Sequence, residues 1–189
     1  MEPTPGRDAA PPVRSSLELS WSVTQPAEEA WNATSARQGV YKWFLCGSLP
    51  ERFEWADHLR VITAGDLLYV GKATSLRTRA KHHKLQTSKS TFRRALAALM
   101  GLQAQWSGKS AHPRLIPQHE EVLSEWMRNN LTMTFAEVPE PMQLKSVEET
   151  LRMELQAPLN RDALTPEQQY VSAAAAVMQR AAIGAKELR

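Results

Sequence analysis

Residues 67–84 place the strongest constraint on the fold: an apolar run, a glycine, then a basic helix. Leu67, Leu68, Tyr69 and Val70 have the bulk and β-propensity of a buried strand. Gly71 suits a close turn at the end of that strand. Thr74 or Ser75 offers a hydroxyl that can accept orphan backbone N–H groups and cap the next helix. Ser75, Arg79 and His83 recur at intervals of four, which places Arg79 and His83 on one helical face. A strand that brings a tyrosine to an arginine and a histidine has the makings of a site. The plainer alternative is a core tyrosine beside a solvated basic face.

The charge layout bears on that choice. The chain of 189 residues has a net charge of only +3, but the window from Lys72 to His119 contains no Asp or Glu. That window holds ten of the 23 Lys and Arg and four of the five His. The remainder carries 13 basic and 20 acidic residues, a net of −7. One basic face on an otherwise acidic body is the electrostatic footprint of a polyanion partner. The single Cys46 excludes an intrachain disulfide and a cysteine-rich zinc site. No run approaches the roughly 18 apolar residues that a membrane helix needs, and the first residues do not read as a signal peptide. The expectation is a cytoplasmic protein with no membrane partner.

In chain order, residues 1–36 read as a poorly ordered, acidic, proline-rich segment; four of the 12 prolines fall in its first 12 residues. Within it, Ser16 to Val23 is a possible short strand or docking segment, and Trp21 and Trp31 are candidates to pack on the domain. Residues 39–46 form the first strand. Residues 47–50 break that strand, and Glu51 to Thr63 gives mixed signals. Phe92 to Met100 is helical, with Phe92 and Leu96 on one stripe. Residues 103–116 read as loop, Pro117 to Asn130 as helix, and Leu131 to Val138 alternates with period two as a strand. Leu144 to Leu155 is helical. Thr165, Pro166 and Gln168 mark the start of a last, Ala-rich helix, which could pack weakly, dimerise or stand free. The expected fold is a small α/β (α+β) domain. Its three-stranded, mainly antiparallel sheet (39–45, 66–71, 131–138) is flanked by helices.

Gly39-Val40-Tyr41 on one strand and Tyr69-Val70-Gly71 on the next resemble the two tripeptides that name the GIY-YIG nuclease family. Lys72, Ala73, Leu76 and Arg79 fit the helix that follows the second tripeptide there. The family's arginine falls eight residues after the glycine, which selects Arg79 over Arg77. His83 stands where many members carry histidine. The family's late glutamate and its asparagine, twelve residues on and behind a proline, fit Glu148 and Pro158-Leu159-Asn160. The resemblance covers about residues 37–162, with residues 163–189 as an appended helix. Two departures stand out. Tyr41 and Tyr69 are 28 residues apart, so residues 47–65 are an insertion, and Val70 replaces isoleucine. Glu149 competes with Glu148 for the acidic role; spacing and Leu151 favour Glu148.

The resemblance implies a divalent-metal-dependent endonuclease acting on DNA, with RNA not excluded. Glu148 would hold one Mg²⁺ or Mn²⁺. Tyr41 would stand near the attacking water as general base or its partner, a role that nearby cations must make affordable. Arg79 would hold the scissile phosphate. Tyr69 and His83 would hydrogen-bond water or phosphate, with His83 the rival base. Gly39, Gly71 and Asn160 would support the site. Lys72, Arg77, Lys81, Lys84, Lys89, Arg93 and Arg94 are candidate backbone contacts to nucleic acid. A specificity partner or homo-oligomer is possible. The alternatives are a catalytically silent binding module of the same fold and a partner-dependent interaction protein.

Overall fold

A computed structural model describes residues 18–106 and 111–187. The elements run β1 (Gln25–Pro26), α1 (Ala27–Ala33), β2 (Gly39–Leu45), β3 (Leu67–Ala73), α2 (Leu76–Leu85), α3 (Thr91–Leu99), β4 (Ala104–Gln105), β5 (Arg114–Leu115), α4 (Pro117–Asn130), β6 (Leu131–Glu137), α5 (Leu144–Leu155) and α6 (Pro166–Glu187). A short 3-10 turn, Thr87–Lys89, joins α2 to α3. The fold is mixed α/β, with an antiparallel sheet in the order β1-β6-β2-β3 flanked by helices.

The sheet has four strands where three were expected, because the chain before residue 37 adds β1. Residues 1–17 of that N-terminal segment, including Ser16, lie outside the described residues. The rest is built into the domain. Ala27, Ala30 and Trp31 of α1 are buried, and the Trp31 ring lies 6.3 Å from that of Trp43. Trp21 lies under the Lys42 ammonium, 3.8 Å from ring centroid to Nζ, and the Ser22 N–H donates to Phe135 O at 2.8 Å. Two-residue strands and a seven-residue helix are too short for periodicity to reveal. The same limit applies to β4 and β5, which pair within the stretch read as loop.

Alternation along β2 sends its side chains to two cores. Tyr41, Trp43 and Leu45 join the larger one, with Phe92, Leu96, Leu123 and Met127 from α3 and α4. Val40 joins Val70, Ala136, Val147 and Leu151 in a smaller core beneath α5. Helix α6 lies against α3 and β4 rather than standing free. Val171, Ala175, Met178 and Ala182 are buried at helical spacing, and the two alanines let the helix approach closely.

Helix α2 is held at both ends. The Ser75 Oγ accepts from the Thr78 N–H, while the Leu76 and Arg77 N–H groups donate to the carbonyls of Arg37 and Ser35. At the other end, the Arg93 guanidinium donates to the His83 and Lys84 carbonyls at 2.9 and 3.2 Å. It also donates to Thr87 Oγ1, to Ser124 Oγ and, at 2.7 Å, to Glu120 Oε2. The Arg93 side chain has no exposed surface, so it cannot be the nucleic-acid contact expected from sequence. Its donors are consumed in joining α2, the 3-10 turn and α4. Arg93→Met should lower the unfolding free energy in a urea titration by about 3–5 kcal/mol, since it strands a carboxylate and several carbonyls. Lys81→Ala, at an exposed position of α2, should change it by less than about 0.5 kcal/mol.

Candidate active site

A cleft of about 300 Å³ opens at the β3 edge of the sheet. Tyr41 and Tyr69 line it from adjacent strands, with ring centroids 6.3 Å apart and planes 26° from parallel. Gly71 stands opposite Tyr41 in the strand register. A Cβ on Gly71 would lie 2.5 Å from the Tyr41 hydroxyl and 2.9 Å from the Tyr69 ring, so only glycine leaves room for both tyrosines. A Cβ on Gly39 would meet the Ala136 carbonyl at 2.3 Å and Leu76 Cδ1 at 2.7 Å, which would push β6 and α2 off β2. Gly71 is an in-strand close approach, not the turn expected, since β3 continues to Ala73. Burial pushes the Tyr41 phenol well above its ordinary range; Tyr69 and Glu148 add to the shift and Arg79 opposes it. Burial and Glu148 also raise Tyr69. Both rings are therefore neutral phenols at neutral pH.

Helix α5 brings Glu148 to the same cleft. Its Oε2 lies 2.5 Å from Lys72 Nζ, and its Oε1 lies 3.8 Å from Arg152. Oε2 is a buried carboxylate oxygen whose close neighbour is the Lys72 ammonium. Glu149 points away, half exposed and paired with Lys145 at 3.7 Å. Asp162 also lines the cleft, but Arg152 clamps it with a 2.7 Å hydrogen bond and a second contact. No group of three or more His, Cys, Asp or Glu converges among the described residues. The donor set therefore fits a hard cation held by one carboxylate, Glu148, with water for its remaining ligands.

Asn160 sits behind the tyrosines. The Val70 N–H donates to its Oδ1 and its Nδ2 donates to the Val70 carbonyl, both at 2.9 Å. Next to it, the Leu159 N–H donates to Leu68 O. The turn after α5 thus completes the outer edge of β3 in the manner of a strand.

Arg79 lines the cleft, and among the described residues its side chain makes one hydrogen bond, from Nη1 to Lys89 O at 3.2 Å. His83, four residues on, does not line it. The helical stripe that starts at the cleft runs into the core, where His83 is only 1 % exposed. The His83 ring lies edge-on to Tyr41 and Trp43, at 5.0 and 5.5 Å, and its Nδ1 is 2.8 Å from Ser90 Oγ. Contact with phosphate, expected from sequence, is therefore corrected to a place behind Tyr41.

The other basic residues disperse. Arg77 reaches Thr34 O, and Lys84 lies between Glu28 and Trp31, so both turn toward α1. Lys81 and Lys89 are exposed. Arg94 is buried, donating to the Thr87 and Ser88 carbonyls and to Thr91 Oγ1; like Arg93, it is removed from the set of surface contacts. Sequence reasoning missed Thr91, Arg152, Arg161 and Asp162, all on the cleft wall. The i+4 spacing of Arg152 from Glu148 was a usable signal. Arg161 and Asp162 directly follow the recognised asparagine.

Burial holds the His83 imidazole well below its ordinary value of 6.5, with Arg79, Arg93 and His82 pushing the same way. The unfolded chain protonates this ring near the ordinary value and the folded chain only at lower pH. The stability given by the neutral ring is thus present above that value and lost as pH falls below it. In urea titrations between about pH 7 and about pH 5, the wild type should lose more stability than His83→Gln, which keeps a polar partner for Ser90 and does not titrate.

No curated protein and no solved structure matches the chain significantly. The model of the GIY-YIG catalytic domain matches residues 39–176, from the first glycine of the site into α6. With both tyrosine tripeptides paired across β2 and β3 in that matched region, the chain belongs to the GIY-YIG family.

Proposed function

We propose that the chain is a divalent-metal-dependent endonuclease that hydrolyses phosphodiester bonds in DNA. The observation that carries this reading is the convergence of Tyr41, Tyr69, Lys72, Arg79 and Glu148 in one cleft at the sheet edge. A silent binding module would have no use for a buried carboxylate in a cleft lined by cations, because Glu148 repels the phosphate that the cations attract.

Arg79 presents a planar fork with no carboxylate partner among the described residues, suited to the non-bridging oxygens of the scissile phosphate. Glu148 would hold Mg²⁺ or Mn²⁺ through its carboxylate, with the Lys72 ammonium giving way at Oε2. The ion when bound supplies Lewis-acid neutralisation of the phosphoryl oxygens. Tyr41, a neutral phenol at rest, orients the attacking water by hydrogen bonding and acts as base only after giving its own proton to solvent. Arg79, which already opposes the rise in the Tyr41 pKa, favours that step. Lys72 balances the Glu148 charge. Tyr69 stacks on Tyr41 and offers a second hydroxyl to water or phosphate. His83 is a positioning residue that fixes the Tyr41 ring from behind.

The test is cleavage of labelled duplex, single-stranded, flapped and branched DNA, with RNA beside them, in Mg²⁺ or Mn²⁺ and in EDTA. Metal-dependent cutting should fall by at least about 10²–10³-fold in Arg79→Ala and Glu148→Gln. Tyr41→Phe should lose about 10²–10⁴-fold while still binding DNA. Cutting that survives Glu148→Gln would remove the assigned metal role, and cutting of RNA alone would replace the substrate.

A further inference from the structure

The cleft carries more cationic charge than its own carboxylates balance. Lys72 is engaged by Glu148, and Arg152 by Asp162. Among the described residues, Arg79 and Arg161 have no carboxylate partner. Arg161 is the more exceptional. It makes no hydrogen bond among the described residues, and its Nε is fully buried without an acceptor, yet it lines the cleft. A buried Nε–H left so is costly unless an anion completes it, although the side chain as a whole is only partly buried.

The surroundings hold Arg161 in place for such an anion. Asn160, its chain neighbour, is fixed by two hydrogen bonds to Val70. Across the cleft, the Arg94 Nη2 donates to Thr91 Oγ1 at 3.0 Å. That bond uses the Thr91 oxygen as acceptor and leaves its own hydrogen free to donate into the cleft. Arg94 cannot take the anion itself, since it is buried and bonded to two carbonyls. Burial lowers its guanidinium to about 10, with Arg161 the next cause and Arg79 a lesser one. Three arginines therefore crowd this wall.

We propose that Arg161 and Thr91 form a second phosphate subsite beside Arg79, so that the cleft holds two phosphates of one nucleic-acid strand. The inference rests on the nuclease reading only in taking the Arg79 position as the scissile phosphate. Two phosphodiesters supply the two negative charges that Arg79 and Arg161 lack. The subsite selects a polymer strand over a small ester with one phosphate.

The experiment is binding of a labelled single-stranded oligothymidylate to the full chain in EDTA, across a series of KCl concentrations. Arg161→Gln should weaken binding about tenfold. It should also flatten the slope of log affinity against log salt by about 0.7, the share of one phosphate contact on a single strand. Arg161→Lys should restore the slope but only part of the affinity, because an ammonium replaces the charge and not the fork. Thr91→Val should weaken binding with the slope unchanged. A wild-type slope in Arg161→Gln, with unfolding like the wild type, would overturn the subsite. Should Arg161→Gln fail to fold, unchanged affinity in Thr91→Val would overturn it. The metal-dependent cleavage panel separates the two readings. A flattened slope in a chain that cuts nothing leaves the subsite and removes the nuclease. Cutting with an unaltered slope does the reverse.

Discussion

Both outward hydrogen-bonding groups of Val70 are satisfied by one side chain, that of Asn160. Strand β3 is the sheet edge, and an edge strand has a row of unpaired N–H and C=O groups that must find partners. Asn160 supplies an acceptor and a donor at the spacing of a peptide, and the Leu159 N–H extends the mimicry to Leu68. This contact joins two parts of the chain that are 90 residues apart in sequence. On one side stands Val70, flanked by Tyr69 and Gly71. On the other is the turn that ends α5, the helix carrying Glu148. The distance between tyrosines and carboxylate is thus set by hydrogen bonding to the β3 backbone rather than by the flexible side chains that line the cleft. Preorganisation of this kind is what electrostatic catalysis needs.

A second constraint acts on α2. Its last carbonyls are taken by Arg93, a buried charge whose cost is offset by Glu120 and by the neutral acceptors around it. The two constraints meet at the cleft. One fixes Glu148 relative to the tyrosines, the other fixes the helix that bears Arg79. His83 lies between them, wedged among Tyr41, Trp43 and Phe92.

Much of this was legible in the sequence. Strands β2, β3 and β6 and helices α3, α4 and α5 followed from apolar alternation and helical periodicity. The tyrosines, glycines and Glu148 followed from the resemblance to the GIY-YIG tripeptides and to the family's later glutamate. What could not be read depends on tertiary burial. A charged side chain reads as exposed from sequence, yet Arg93 and Arg94 are inside, because most of their partners come from outside their own helix, from α2, the 3-10 turn and α4 for Arg93 and from the 3-10 turn for Arg94. His83 shares a face with Arg79, but a helical face has length, and only its first turn reaches the cleft. Strand β1 is two residues long and exists only because β6 offers it a partner. The Ala-rich stripe of α6 has too little bulk to register as a buried face, though small side chains are what let that helix settle on α3.

The closure of β3 by the turn at 157–160 also has a consequence in time. A chain emerging from the ribosome completes its amino-terminal parts first. Its basic helix and paired tyrosine strands are made well before residue 148, and the β3 edge stays bare until residues 159 and 160 arrive to cover it. A nascent or truncated chain therefore presents positive charge and an open strand template without the carboxylate. It can stick to polyanions or to its own kind before its cleft is complete.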